Sequence, residues 1–314
     1  MQLNAISITQ LLNKEFSTDI WLWEPYLPKV GIAALTGASD CGKSTLIRQL
    51  SLSVANSKET FLNSPLNGKY GKAICVFTED SEQATKSVLT KQLTKYESSG
   101  NDNIYLVYET DNLVNKLDGF LKETKVDLIC IDGWADTFSG NPNNFVEVRK
   151  NLNQWSNLAT EHDCCMLLLH HNVKNSENSS PDKNKVNGSQ GMEAKLRSVI
   201  ELRVGQNSDE RLLTITKGNY VPVENKRKSL VLKLHNESLT YSTDSTLIET
   251  KEIQKGKVKY DVKFWINEFC SVKERGISIA AAVSKLIEKY AELDVPSITW
   301  FKDNLKNRRQ YTTQ

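Results

Sequence analysis

Apolar runs of strand length alternate with segments of helical period along most of the chain, the pattern of a mostly parallel sheet with helices on both faces. Val30 to Thr36 predicts the first strand and Lys43 to Ala55 the helix behind it. Ala73 to Thr78 predicts a second strand, followed by a helix over Glu82 to Tyr96 that Ser81 caps and that ends near Gly100. A strand at Ile104 to Tyr108, a helix near Asn112 to Glu123, a strand at Val126 to Ile131, a long helix near Asn144 to Glu161 and a very apolar strand at Cys164 to Leu169 complete a doubly wound α/β core. Beyond it the helices stop alternating. Ser198 to Val204, Arg211 to Thr216, Leu230 to His235 and Leu239 to Tyr241 read as antiparallel strands at one edge of the sheet.

Between core and edge, Asn172 to Gly188 is too polar and too rich in Ser and Asn to pack, and is expected to be a loop. Loops of that length in compact domains usually carry function. Toward the C-terminus, Lys251 to Lys263 reads as a charged connector, followed by an Ala-rich helix at Ile277 to Tyr290 and a second helix that Pro296 starts. Lys302, Lys306 and Arg309 fall on one face of that second helix. The pair has the outline of a helix-turn-helix that would set these three cations against DNA; a helical hairpin without DNA contact is the other reading. The expected organisation is an N-terminal segment over 1–20, a core over 21–245 and a basic helical module over 251–314.

With 314 residues, the chain has room for one α/β domain of about 200 to 250 residues and a small extra module. Its 39% hydrophobic and 25% charged residues are ordinary for a globular protein and argue against wholesale disorder. No apolar run approaches the ~20 residues of a membrane span, and Met1 to Glu15 lacks the basic flank and apolar centre of a signal peptide, so a cytoplasmic protein is expected. The net charge of +2 hides an asymmetry: residues 251–314 hold 13 Lys and Arg against 8 Asp and Glu, which suits a nucleic-acid-binding appendage on a near-neutral core. Six cysteines without a C-x-x-C pair read as small buried hydrophobes, Cys41 included.

Chemistry enters at Gly37-Ala38-Ser39-Asp40-Cys41-Gly42-Lys43-Ser44, which fits G-x-x-x-x-G-K-[ST] and stands between an apolar strand and an amphipathic helix. Glycines let backbone amides turn inward on a polyanion, and the helix N-terminus adds partial positive charge. Lys43 neutralises the outer phosphates of ATP, the Ser44 hydroxyl ligates Mg²⁺, and Thr45 closes the binding stretch. Leu128-Ile129-Cys130-Ile131-Asp132 is a buried strand ending in a carboxylate, expected as the second metal-site acid. The strand before Glu79-Asp80 ends in two adjacent acids. Glu79 is the expected base or positioner of the attacking water, because capping of the next helix accounts for Asp80. His170-His171 leaves the strand beside Asp132 and is expected to sense the γ-phosphate, without a choice between the two.

Taken in order, GASDCGKST, FTED, LICIDGW, LLLHHNVK, Gly188-Ser189 and Thr216-Lys217-Gly218-Asn219-Tyr220 resemble the RecA-like ATPases of the hexameric replicative-helicase type, especially the plasmid RepA helicase branch. The resemblance covers about Trp21 to Tyr241. It implies a homo-oligomeric ring with ATP and Mg²⁺ between subunits and DNA, expected to be single-stranded, in the channel. The family's catalytic Glu falls on Glu79, its sensor on His170 or His171, and its DNA-facing loops near Asp136 to Phe145 and on Asn172 to Gly188, where Lys174, Lys183 and Lys185 meet phosphates. One departure stands out. DnaB-type helicases carry Lys-x-Arg on the late strand, the Arg completing the neighbour's site, whereas this chain has Lys217-Gly218-Asn219. Lys217 then serves alone, Arg203 or Arg211 substitutes, or hydrolysis is slow. The resemblance thus points to a DNA-stimulated helicase in replication of a mobile element. Its rivals are an ATP-switched DNA-binding regulator or loader, and a recombinase or signalling relative of KaiC or RadA type.

Overall fold

The computed structural model describes residues 5–14, 19–96, 98–138, 140–141, 144–172, 181, 195–250, 262–273, 277–290, 295–296 and 298–305. The chain divides into two units, Met1–Ile253 and Gln254–Gln314. The first begins with α1 (Ile8–Leu12), closed by a capping box between Ser7 and Gln10, and a short antiparallel pair, β1 (Trp21–Trp23) and β2 (Leu27–Pro28). The parallel core follows: β3 (Gly31–Gly37), α2 (Lys43–Ala55), the small pair β4 (Thr60–Phe61) and β5 (Ser64–Pro65), β6 (Ala73–Phe77), α3 (Glu82–Leu93) and β7 (Ile104–Val107). It continues with α4 (Leu113–Glu123), β8 (Leu128–Asp132), α5 (Phe145–Glu161), β9 (Cys165–His171) and β10 (Ser198–Val204). The edge is made by β11 (Glu210–Gly218), the single-turn α6 (Val223–Lys226), β12 (Lys228–His235), β13 (Thr240–Ser242) and β14 (Leu247–Glu249).

Across the main sheet the order is β13-β12-β11-β10-β3-β9-β8-β6-β7, with β14 also on β12. The strands from β10 to β7 run parallel, and β11 to β14 pair antiparallel beyond β10. The period of two decides which helix each residue meets. Ala33 and Leu35 of β3 cluster with Leu46, Ile47 and Leu50 of α2, while Ile32 and Ala34 cluster with Leu117 of α4 and Leu152 and Trp155 of α5. Strands buried on both faces read as continuous apolar runs, as in Leu128-Ile129-Cys130-Ile131. β3 lies between the last two parallel strands of the chain, and the loop that follows it opens at the carboxyl ends of the strands, where open α/β sheets bind ligands. This is the doubly wound, RecA-like architecture with antiparallel edge strands.

The unit Gln254–Gln314 contains α7 (Val262–Val272), α8 (Ile279–Lys289) and α9 (Ile298–Leu305). Trp265, Ile266 and Phe269 pack with Ala282, Val283, Leu286 and Phe301 in a core of their own. Sequence reading predicts two helices here and places the start of α7 in a charged connector. The Trp265, Ile266, Phe269 spacing is helical but too short a run to stand out beside the lysines before it. Lys302 is exposed in the last turn of α9; Lys306 and Arg309 lie outside the described residues, as does Asn172 to Gly188 apart from Asn172 and Pro181. Among the described residues no helix is long and apolar enough to cross a membrane.

Candidate functional site

β3 ends at Gly37 and α2 starts at Lys43, so the loop between them leads into a helix whose first amides have no intrahelical partner. The turn is made by left-handed backbone at Asp40 (φ 61°) and Gly42 (φ 94°). A Cβ on Gly42 would lie 2.0 Å from the Tyr241 hydroxyl, so both conformation and space demand glycine there. Lys43 is buried, and its Nζ donates to Gly37 O at 3.1 Å and Ala38 O at 2.7 Å, with Cys41 Sγ at 4.0 Å. Its ammonium meets neutral acceptors and, among the described residues, no carboxylate. A buried cation placed this way is stabilised by an anion entering the cleft.

That cleft, of about 510 Å³, is lined by Ser39, Asp40 and Gly42 to Thr45 of the loop and by Glu79, Asp132, Gly133, Leu169, His170 and His171. Four strand ends converge on it because parallel registry brings them level: Thr36 opposite His170, Gly37 opposite His171 and Phe77 opposite Asp132. A larger groove, about 960 Å³, opens further along α2 by Gln49 and Ser53, with Lys58, Lys95, Tyr96 and His235 on its walls; it holds none of the predicted acids.

Burial pushes the Asp132 carboxyl above its ordinary range; a hydrogen bond from Ser44 and the Arg48 cation oppose the rise, and the charges of Asp80 and Glu79 add to it. Ser44 and Asp132 thus stand together as hard oxygen donors, a pair that fits Mg²⁺, which keeps several waters of its own. The Thr78 hydroxyl donates to Asp132 O at 2.9 Å and to Asp136 Oδ2 at 2.6 Å, tying the end of β6 to the end of β8. Gly133, at φ 86°, leaves the room this needs: a Cβ there would sit 2.2 Å from Thr78 Oγ1. Asp80 differs from expectation. Ser81 caps α3 by accepting from Ala84 N at 3.3 Å, while Asp80 pairs with the buried Arg48 at 3.1 Å. Glu79, beside it, is exposed to the cleft.

The raised Asp132 pKa has a consequence for stability. A carboxyl whose folded pKa exceeds its unfolded one loses stability as pH rises through the carboxylate range, and the cost is complete above the folded pKa. Asp132→Asn is therefore expected to raise the melting temperature of the nucleotide-free protein in chelator at pH 8 and to leave it near wild type at pH 4. A thermal denaturation series across that range checks it, and a variant less stable than wild type at pH 8 would contradict it.

His170 is buried with its ring in a T-shaped contact with Trp134, centroids 5.6 Å apart, whereas His171 is exposed at the strand end. Lys217 does not reach this cleft. It sits on β11 opposite Val199, which pairs with Ala34, several residues back along the strands from the loop. The alternatives named for it are engaged within their own chain: Arg203 is buried against Glu201 at 2.7 Å, and Arg211 donates from Nε to Cys41 O at 2.8 Å. Lys174, Lys183 and Lys185 lie outside the described residues.

Sequence reading missed Arg48 and Tyr241. Arg48 follows Ser44 by one helical turn, and an arginine inside the apolar stretch of α2 was the available signal. Tyr241 gave none, since its hydroxyl reaches Gly42 O across 199 residues of sequence.

No curated protein matches the chain in sequence. A family match described as an AAA domain spans residues 2–177, taking in the phosphate loop, Glu79, Asp132, His170 and His171. With this match over more than half its length, and with a strand-loop-helix phosphate-loop motif at the carboxyl ends of parallel strands in register, the chain belongs to the AAA domain family of P-loop ATPases with a RecA-like fold.

Proposed function

We propose that the protein is a Mg²⁺-dependent, DNA-stimulated ATPase that works as a homo-oligomeric ring, a helicase in replication of a mobile element. The observation that carries the ATPase half is the single cleft in which the phosphate loop faces Glu79 and Asp132. The loop amides and Lys43 hold the β- and γ-phosphates. Ser44 and Asp132 hold Mg²⁺, which when bound draws charge off the phosphate oxygens. Glu79 orients a water toward the γ-phosphorus and takes its proton. The new P–O bond forms as the bond to the β–γ bridging oxygen breaks, releasing ADP and phosphate. His170 and His171, level with Thr36 and Gly37, register the loss of the γ-phosphate, and Lys217 acts on a neighbouring subunit. Lys174, Lys183 and Lys185, with Lys302, Lys306 and Arg309 of the C-terminal unit, meet DNA phosphates.

A second reading, an ATP-switched DNA-binding regulator, is favoured by one observation: Arg203 and Arg211 are spent inside their own chain, leaving the late strand without the Lys-x-Arg of vigorous motors. Steady-state turnover of the purified protein with no DNA, single-stranded DNA and duplex DNA separates the two. Stimulation of about tenfold or more by single strands, together with unwinding of a forked duplex, supports the helicase. Tight ATP binding with negligible turnover under all three conditions moves the assignment to the switch.

A further inference from the structure

The proposed nucleotide site depends on where the loop amides point, and two buried side chains of the antiparallel edge hold the opposite side of the same peptides. Arg211, at the start of β11, donates from Nε to Cys41 O at 2.8 Å, and its Nη1 donates to Ser208 O and Glu210 O, both at 2.8 Å. Tyr241, on β13, donates its hydroxyl to Gly42 O at 3.2 Å. Tyr241 is itself fixed to α2: the Gln49 side chain accepts from its amide at 2.6 Å and donates to its carbonyl at 2.9 Å. The Gly42 carbonyl already accepts the first helical bond, from Leu46 N at 3.1 Å, so the Tyr241 bond is additional to what α2 requires.

A trans peptide is planar, with the C=O of one residue and the N–H of the next pointing in opposite directions. A donor on Cys41 O therefore turns the Gly42 N–H away from the edge, and a donor on Gly42 O does the same for the Lys43 N–H. Gly42 and Lys43 line the cleft. Arginine on a carbonyl also polarises that peptide, which strengthens its N–H as a donor to an anion. Burial pushes the Tyr241 phenol up to about 12, so it remains protonated and able to donate at any physiological pH.

We propose that Arg211 and Tyr241 are positioning residues of the phosphate site, aiming the Gly42 and Lys43 amides at the nucleotide by holding the carbonyls of Cys41 and Gly42. The antiparallel edge is then part of the ATP site rather than only its border, an inference that rests on the ATP-binding reading above.

Full-length wild type, Tyr241→Phe, Arg211→Lys and Arg211→Gln are to be compared by equilibrium ATP binding and steady-state turnover. The Kd and KM for ATP are expected to rise about 2- to 10-fold in Tyr241→Phe and about 10- to 100-fold in Arg211→Gln. Arg211→Lys falls between wild type and Arg211→Gln, keeping the charge without the planar fork. Because the amides hold phosphates in ground and transition states alike, the loss falls mainly on KM. A purely architectural role instead lowers the folded fraction, which appears as a smaller kcat at unchanged KM. Tyr241→Phe preserves the ring and decides the matter alone if the arginine variants do not fold. Unchanged Kd and KM in Tyr241→Phe, or a loss confined to kcat, overturns the positioning role. Wild type that binds no ATP sinks the nucleotide reading and this inference with it, whereas wild-type binding matched by Tyr241→Phe sinks the inference alone.

Discussion

Lys43→Ala is expected to lower kcat/KM for ATP by about three orders of magnitude, roughly 4 kcal/mol of transition-state stabilisation. The lysine is the one cation of the phosphate loop and stands inside the cleft, buried, with Gly37 O, Ala38 O and Cys41 Sγ around its ammonium. Neutral carbonyls compensate a buried charge poorly. Alanine therefore leaves the nucleotide-free protein no less stable than wild type, and the damage appears only when phosphates are present. Two readouts isolate this: the melting temperature without nucleotide should hold or rise, while the upward shift that ATP gives wild type should disappear. Lys43→Arg is expected to recover little, because a planar guanidinium does not fit a space shaped for a compact ammonium between two carbonyls. Turnover by Lys43→Ala within tenfold of wild type would remove the phosphate loop from the mechanism.

The loop was legible in sequence because its chemistry is local: two glycines, a lysine and a serine at fixed spacing, between a run that can only be a buried strand and a segment of helical period. Asp132 and Glu79 were legible for a related reason. Parallel strands in register present their carboxyl ends at one level, so an acid ending an apolar run arrives beside the loop without further information. What sequence could not supply were contacts made across the fold. Asp80 beside a helix start reads as a cap, yet the neighbouring Ser81 takes that role and Asp80 turns to Arg48, 32 residues earlier. Arg211 reads as a cation free to reach a neighbour, and it is occupied by Cys41 O, 170 residues away. The short elements β1, β2, β4, β5 and β14 are two or three residues each, below the length at which any period can be recognised. In the C-terminal unit, α7 was hidden because its apolar residues Trp265, Ile266 and Phe269 begin directly after lysine-rich sequence.

Glu79→Gln is expected to lower kcat by about 10²- to 10³-fold while leaving ATP affinity equal to wild type or higher. Asp40, Glu79 and Asp132 line the cleft and Asp80 adjoins Glu79; two of these four acids, Asp132 and Asp80, are already committed. Asp132 accepts from Ser44, and Asp80 is held by Arg48, whose guanidinium also lies over the Phe77 ring at 5.7 Å. Glu79 faces the cleft from just beyond β6, across from the loop, whereas Asp40, the other exposed acid of the lining, belongs to the left-handed turn of the loop itself. Glutamine keeps its shape and hydrogen-bonding reach but cannot accept the proton of the attacking water, so the chemical step slows while substrate binding, relieved of one negative charge near the triphosphate, does not suffer. Asp80→Asn is the comparison that assigns the role. Its first effect should fall on Arg48, a buried arginine left with a weaker partner, and so on stability and on the field at Asp132 rather than on proton transfer. Single-turnover hydrolysis at saturating ATP therefore separates the two acids. A slow step in Glu79→Gln with a near-normal one in Asp80→Asn fixes the base at Glu79, and the reverse order transfers the role to Asp80 and leaves Glu79 as a surface carboxylate.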